Sequence, residues 1–323
     1  MQNNIDTCSD SVTTGLLVSG QDGFVGRHLL RTLSASTPTV QEQWHKQFSV
    51  SRRPGFDLLI PESIEHMLGD EVPDAVIHLA GQTSVPAAIA NPAATLQINL
   101  IGTLNLLQAL KKKGFNGTFL YVSSGDIYGA VADAHLPITE NEPLKPRNPY
   151  AVSKIAAEIL CQQWSRVEPW RIIIARPFNH IGAGQRPDFV IAEIARQITR
   201  VKLGKQLPRL ELGDIDVSRD FLDVEDVISA YFALLLHGKN GEIYNVCSGK
   251  EFIVRDLAEQ MMALAGVNVE IERDSKRFRP ADQRRVVGNS DKLCATTQWQ
   301  PRIDMRESLQ TILRDWEMKE KNG

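Results

Sequence analysis

The chain has 323 residues, 36 basic and 39 acidic, for a formal net charge of −3. Hydrophobic residues make up 42% and charged residues 23%, which excludes a disordered, collagen-like or coiled-coil chain. A charge so near zero argues against a general nucleic-acid binder, which needs a basic excess to neutralise phosphates.

Residues 1–14 are polar, with no basic cluster ahead of an apolar stretch, and read as a loose tail rather than a signal peptide. The apolar run Gly15–Ser19 ends at Gly20 and predicts a buried strand, followed by a helix from Gly23 to about Leu33. Short strands are expected at 48–51 and 74–80. A long helix should start at Asn91-Pro92 and end in the basic Lys111–Lys113. A fourth strand covers 118–124. Pro149 is placed to open a helix that runs to about Val167, and a fifth strand, 171–175, should stop at Pro177. Apolar strands alternating with helices give the expected fold class: α/β, a doubly wound parallel sheet with helices on both faces. Past Pro177 the texture changes to helix at 189–202, strand at 207–213, helix at 224–237, strand at 242–247, then a mixed tail. A first domain is therefore expected over 1–176 with a return at 218–247. A smaller mixed α/β domain would hold 177–217 and 248–323.

Cys8, Cys161, Cys247 and Cys294 are far apart with no CxxC pair, as expected of free thiols in a reducing compartment such as the cytoplasm. The seven histidines lack metal-ligand spacing, so no catalytic metal is expected. The longest apolar runs, such as 231–236, are too short to span a membrane. His78, inside an apolar strand, is expected to be a packed, satisfied side chain.

The chemistry gathers at strand ends. Gly20-Gln-Asp-Gly23-Phe-Val-Gly26 follows a strand and opens a helix, where glycines let a pyrophosphate approach the backbone at a helix N-terminus. This marks Gly20, Gly23, Phe24, Val25 and Gly26 as dinucleotide-binding candidates. The second strand ends Ser51-Arg52-Arg53, with no acid before Asp57. Arg52 suits a 2′-phosphate, which favours NADP(H) and leaves NAD(H) open. Tyr150 and Lys154 are four apart on one helix face, where an ammonium lowers the phenol pKa. Ser123-Ser124 closes the preceding strand, at the end where open α/β sheets bind ligands.

Gly20-x-x-Gly23-x-x-Gly26, His78-Leu-Ala-Gly81, Asn99-Leu-Ile-Gly-Thr, Ser123-Ser124-Gly-Asp-Ile-Tyr-Gly129 and Tyr150-x-x-x-Lys154 occur in this order. Together they resemble the extended short-chain dehydrogenase/reductases. Arg176–Gly182, Ser218–Asp226 and Arg279-Pro-Ala-Asp282 resemble the nucleotide-sugar branch of that family. The resemblance covers the chain from Gly15 to about Pro301. It implies a Rossmann-like coenzyme domain and a nucleotide-sugar-binding domain. Ala175–Gln185, Gly213–Asp220 and Tyr244–Gly249 resemble the members that reduce a GDP-linked 4-keto sugar. GDP-4-dehydro-6-deoxy-D-mannose is therefore the expected substrate.

Carried over by this resemblance, Ser124 binds the substrate carbonyl oxygen, Tyr150 donates a proton to it, and Lys154 holds the nicotinamide ribose. Asn99 shapes the site, Asp57 with Leu58 contacts the adenine, and Leu79, Ala80, Gly81 and Ser123 line the coenzyme. Asn179, Arg219, Arg279 and Asp282 face the sugar nucleotide, though Asp220 and Asp282 could instead be salt-bridge partners of the two arginines. Dehydratases on this scaffold use a Glu two residues after the catalytic hydroxyl. Here that place holds Asp126, so Asp126 joins the catalytic candidates and a dehydratase, bifunctional enzyme or 4-epimerase is the alternative. The resemblance also implies a homodimer through the helices at 91–113 and 150–167.

Overall fold

The computed structural model describes residues 14–34, 48–50, 55–274 and 283–322; Cys8 and most of the N-terminal tail lie outside them. In chain order the elements begin β1 (Thr14–Ser19), α1 (Phe24–Ser34), β2 (Phe48–Val50), α2 (Pro61–Leu68), β3 (Ala75–His78) and α3 (Val85–Ala90). There follow α4 (Pro92–Leu96), a π-helical turn (Gln97–Ile101), α5 (Gly102–Lys112) and β4 (Thr118–Val122). Two 3-10 turns (Gly125–Tyr128 and Asp133–His135) lead to α6 (Pro149–Val167) and β5 (Arg171–Pro177). The remainder runs β6 (Asn179–Ile181), α7 (Val190–Lys202), β7 (Arg209–Leu212), β8 (Ser218–Arg219), β9 (Phe221–Asp223) and α8 (Val224–His237). It closes with β10 (Ile243–Val246), β11 (Phe252–Ile253), α9 (Val254–Ala265), β12 (Glu270–Arg273), α10 (Asp291–Thr297) and α11 (Met305–Asn322).

Six strands make one sheet in the order β2-β1-β3-β4-β5-β10, every pair parallel. The period of two explains why it is wound on both faces. Leu16, Val18, Ile77, Leu120 and Ile173 pack on one side with α1 and α8. Leu17, Val76, Phe119 and Ile172 pack on the other with α2, α5 and α6. The fold is thus the expected α/β, Rossmann-like doubly wound parallel sheet. A separate apolar cluster joins α7, α9 and α11 through Ile194, Ile198, Leu257, Met261, Leu309 and Ile312.

β2 lies on one side of β1 and β3 on the other, so the winding reverses at β1. The C-terminal ends of β1 and β3 therefore flank a topological switch point, where such sheets bind ligands.

Several boundaries differ from expectation. The helix expected from Asn91 to Lys113 is interrupted by the π turn, where the Gly102 N–H reaches the Gln97 carbonyl. Pro177 does not stop β5 but ends it, paired with Val246. At a strand end the missing N–H costs one ladder bond, and Phe178 N–H resumes with the Val246 carbonyl at 2.9 Å. The helices α2 and α3 were not anticipated; both are short, with Pro at the N-terminus.

A buried imidazole locks α1 to the elements after β5. His28 sets Nδ1 2.5 Å from Glu225 Oε1 and Nε2 2.7 Å from the Ala183 carbonyl. Two acceptors require two N–H donors, so the ring is imidazolium. Burial alone would lower its pKa, and Arg31 opposes the charge; the hydrogen bonds to Glu225 and Ala183 outweigh both and raise it. A raised folded pKa gives stability that is complete below the ordinary value and fades as pH rises through the folded one. His28→Gln is therefore expected to lose more thermal stability at pH 6 than at pH 9. Equal losses in melts at the two pH values would show a neutral ring.

Candidate active site

The turn after β1 is shaped for close approach. Gly20 has φ +77°, and a Cβ there would lie 2.7 Å from the Ala80 nitrogen. A Cβ on Gly26 would collide with the Gly20 carbonyl oxygen, and one on Gly81 would sit 2.9 Å from Asn99 Oδ1. Gly23 closes the turn by donating to the Gly20 carbonyl at 3.0 Å, and α1 starts one residue later. Three backbone segments thus lie as close as side-chain-free residues allow, with a helix N-terminus aimed between them. Phe24 turns its ring away, parallel to His180 at 6.1 Å between centroids, and Val25 packs on the apolar cluster under α8.

The floor is held by a directed chain of hydrogen bonds. Ala80 N–H donates to Ser19 Oγ at 3.2 Å, and Ser19 Oγ lies 2.6 Å from His78 Nδ1. His78 Nε2 is 3.0 Å from Thr103 Oγ1, whose hydroxyl donates to the Asn99 carbonyl at 2.6 Å. Thr103 has spent its proton, so Nε2 carries the ring hydrogen and Nδ1 accepts from Ser19. Burial, aided by the Lys154 charge, lowers the His78 pKa to about 3, which keeps the ring neutral. His78 is thus the satisfied core residue expected. Leu79 and Ala80 carry the chain from this strand toward the crevice. Asn99 is buried: its Oδ1 accepts from Gln82 N–H at 2.8 Å, and its Nδ2 donates to the Gln82 carbonyl and to Ser153 Oγ. Ser123 Oγ is buried with no hydrogen-bond partner among the described residues.

The three central side chains come from β4 and α6. Ser124, extended at the end of the strand, accepts the Asp126 N–H at 3.2 Å and so caps the first 3-10 turn. Ser124 lies close enough to the Tyr150 side chain to lower the pKa of its phenol. Tyr150 lies in the first turn of α6, behind the cap Asn148 and Pro149. Its carbonyl accepts from Ser153 Oγ at 2.7 Å. Lys154, one turn on, is buried with Nζ 4.7 Å from the Tyr121 ring centroid. Asp126 is exposed, and its Oδ2 accepts from Asn148 at 2.7 Å.

The electrostatics depart from expectation. Lys154 is not what sets the Tyr150 phenol. Burial raises its pKa to about 12, the Ser124 hydrogen bond pulls it down, and the Asp126 charge pushes it up. Burial likewise lowers the Lys154 amine to about 8 against the pull of Glu158. Desolvation thus outweighs the simple ammonium-phenol attraction that spacing suggested.

Phe178 joins the other side of the crevice to the catalytic turn. Its ring would meet a Cβ on Gly125 at 3.1 Å and one on Gly288 at 2.8 Å. Next to it, exposed Asn179 donates to the Asp220 carbonyl at 3.4 Å. Half-buried Arg219 donates to the Ser218 carbonyl at 2.8 Å. Asp220 is not a salt-bridge partner for Arg219 here. Its buried carboxylate accepts from Ser248 N–H and Oγ, Gly249 N–H and Gly288 N–H, fastening three segments. Asp57 is exposed and caps its own turn through Leu59 N–H, while Leu58 buries its side chain against Gly102. Arg52, Arg279 and Asp282 lie outside the described residues. Sequence reasoning missed Gln82, Ser153, Phe178 and Asn148; only Asn148, an Asn-Pro pair at a helix start, carried a readable signal.

The profile of the family described as GDP-mannose 4,6-dehydratase matches residues 17–312. The chain belongs to this family of extended short-chain dehydrogenase/reductases. It is 57% identical over 309 residues to the GDP-6-deoxy-D-mannose reductase of Pseudomonas aeruginosa, covering 95% of this chain and 99% of that one. A solved structure of RMD from Pseudomonas aeruginosa complexed with NADPH is similar with a TM-score of 0.89 and 56% identity, over 95% of this chain and all of that one. A more distant relative, the dTDP-glucose 4,6-dehydratase of Haemophilus influenzae, is 28% identical over 93% of this chain and 96% of its own. The GDP-mannose 4,6-dehydratase family thus holds different reactions on one scaffold, and the site must decide between them. Among the described residues no cluster of His, Cys, Asp or Glu could hold a metal, and no helix is long and apolar enough to cross a membrane. In protein without coenzyme, the Tyr150 ring signal in a carbon-13 titration should move near pH 12, above the ordinary 10. Ser124→Ala should move it higher still; a midpoint at 10 would refute burial as the controlling influence.

Proposed function

We propose that the protein reduces the C4 ketone of GDP-4-dehydro-6-deoxy-D-mannose with NADPH, giving GDP-D-rhamnose. One observation carries this reading: Ser124 and Tyr150 are neighbours beside a glycine-lined switch-point crevice. The 57% identical reductase and the NADPH complex of the similar structure support the substrate and coenzyme. The cradle fits a dinucleotide, because its glycines leave room that any Cβ would fill and Ser123 Oγ offers an uncommitted buried hydroxyl.

NADPH, when bound, supplies hydride to the ketone carbon. Tyr150 holds the proton delivered to the C4 oxygen, and its raised pKa keeps the phenol protonated at neutral pH. Ser124 aims its hydrogen at the same oxygen, where negative charge develops. Lys154 binds the nicotinamide ribose, and Asp57 with Leu58 borders the adenine. Leu79, Ala80, Gly81 and Asn99 form the floor, and Arg52 meets the 2′-phosphate. Asn179, Arg219, Arg279 and Asp282 face the GDP sugar, the arginines matching its phosphates.

The division of labour follows the expected domains. Residues 1–176 and 218–247 bind coenzyme, and 177–217 with 248–323 bind the sugar nucleotide; β10 in the sheet and the separate cluster of α7, α9 and α11 support this. A cytoplasmic homodimer completes the reading, supported by exposed Ile101, Val152 and Ile159 on the two helices expected to pair.

Purified protein should oxidise NADPH with GDP-4-dehydro-6-deoxy-D-mannose and do little with GDP-mannose alone. Rapid coenzyme-free dehydration of GDP-mannose would overturn the reductase assignment. Tyr150→Phe should bind NADPH in fluorescence titration yet lose on the order of 10²–10⁴-fold in turnover.

A further inference from the structure

Asn148 precedes Pro149 and caps α6, its Oδ1 accepting the Ala151 N–H at 2.8 Å. Asparagine, aspartate and serine cap helices about equally well, so capping alone does not select an amide. The other arm of the side chain supplies the reason. Nδ2 donates to Asp126 Oδ2 at 2.7 Å. A serine hydroxyl spent on the cap has no second arm, and an aspartate would face Asp126 with like charge. The reverse amide orientation would set oxygen against carboxylate and NH₂ against N–H, so the two partners fix it.

Asp126 in turn belongs to the turn that presents Ser124, whose Oγ accepts its backbone N–H. The amide contact therefore runs directly from the Ser124 turn to the first turn of the Tyr150 helix. Along the chain these two places are separated by the whole loop 129–148, whose described regular structure is one short 3-10 turn. Such a loop transmits position poorly, while a charge-assisted bond fixes both distance and direction.

We propose that the Asp126–Asn148 contact is a clasp that sets the spacing between the Ser124 hydroxyl and the Tyr150 phenol, making both positioning residues for the reduction. This rests on the reductase reading and gives Asp126 a holding role in place of bond-making chemistry. The same carboxylate helps keep the phenol protonated, since its charge raises the Tyr150 pKa. Misplacement of a reacting group by about 1 Å costs about 10²-fold, which sets the scale for a broken clasp.

The test exchanges donor and acceptor. Asn148→Asp keeps the cap but sets two carboxylates face to face. Asp126→Asn combined with Asn148→Asp restores the bond with its polarity reversed. Two readouts are taken: kcat for ketone reduction with NADPH, and the carbon-13 ring signal of Tyr150 in coenzyme-free protein, identified by its loss in Tyr150→Phe. Asn148→Asp should lower kcat about 10–100-fold with little change in coenzyme KM, and the double variant should regain about tenfold or more. Read at neutral pH, where the phenol is protonated, the Tyr150 signal should shift in the single variant and move back toward the parent position in the double. Thermal melts of the three proteins are taken alongside; a kcat loss in Asn148→Asp without a matching loss of melting temperature separates positioning from simple destabilisation. A double variant no better than Asn148→Asp, or an Asn148→Asp enzyme as fast as the parent, overturns the clasp. If the parent protein itself fails to reduce the ketone, the reductase reading falls, and the clasp is judged on whether the Tyr150 signal moves and returns.

Discussion

The amide of Asn99 ties the floor of the crevice to the helix that carries the phenol. Its oxygen and nitrogen grip both backbone groups of Gln82, and the same nitrogen reaches Ser153, which holds the Tyr150 carbonyl. Three groups are satisfied by one buried side chain, so leaving it out would strand several polar atoms away from water, each at a cost of about 1–3 kcal/mol. The π turn carries Asn99 and lies between two ordinary helical segments. Gly81 has no side chain because Asn99 occupies the space a Cβ would need. Loop, kink and catalytic helix are one solution to a single packing problem.

Much of this was legible beforehand because it is periodic or punctuated. Apolar strands alternating with helices, the glycines after β1 and the Pro that opens α6 each act within a few residues, so the doubly wound sheet and the Tyr150–Lys154 pair are legible from spacing, while the choice of Ser124 rests on the family resemblance. What escaped depends on distance in sequence. Nothing near Phe178 says that its ring fills the gap between Gly125 and Gly288, and nothing near Asp220 says that it fastens residues 248, 249 and 288. The Tyr150 pKa departs from what spacing suggests for a related reason: the Tyr-x-x-x-Lys spacing is local, whereas the burial that raises the phenol pKa is set by the whole fold.

A second polar network lies behind α6. Arg176 on β5 grips Glu158 with two nitrogens, at 2.5 and 3.2 Å, and both side chains are almost fully buried. Its remaining nitrogen donates to Tyr128 Oη at 2.8 Å, and Tyr128 donates to Asn245 Oδ1 at 2.6 Å. The network therefore links α6, β5, the turn that presents Ser124, and β10. Buried ion pairs add little net stability, because desolvation consumes most of the attraction. Their worth here is directional. Apolar contacts between helix and sheet tolerate sliding, whereas a two-pronged guanidinium-carboxylate bond does not.

That directional hold explains how the site keeps a lysine charged where burial opposes it. Glu158 lies one helical turn beyond Lys154 and raises the pKa of the amine, while desolvation lowers it to about 8. Were Glu158 free to move toward Lys154, the two would pair directly and the amine would be drawn away from the crevice. Arg176 engages both carboxylate oxygens instead. Lys154 thus feels the negative charge at a distance without being captured by it, and its Nζ stays over the Tyr121 ring. With its pKa near 8 the amine is mostly cationic at neutral pH, and no carboxylate pairs with it among the described residues.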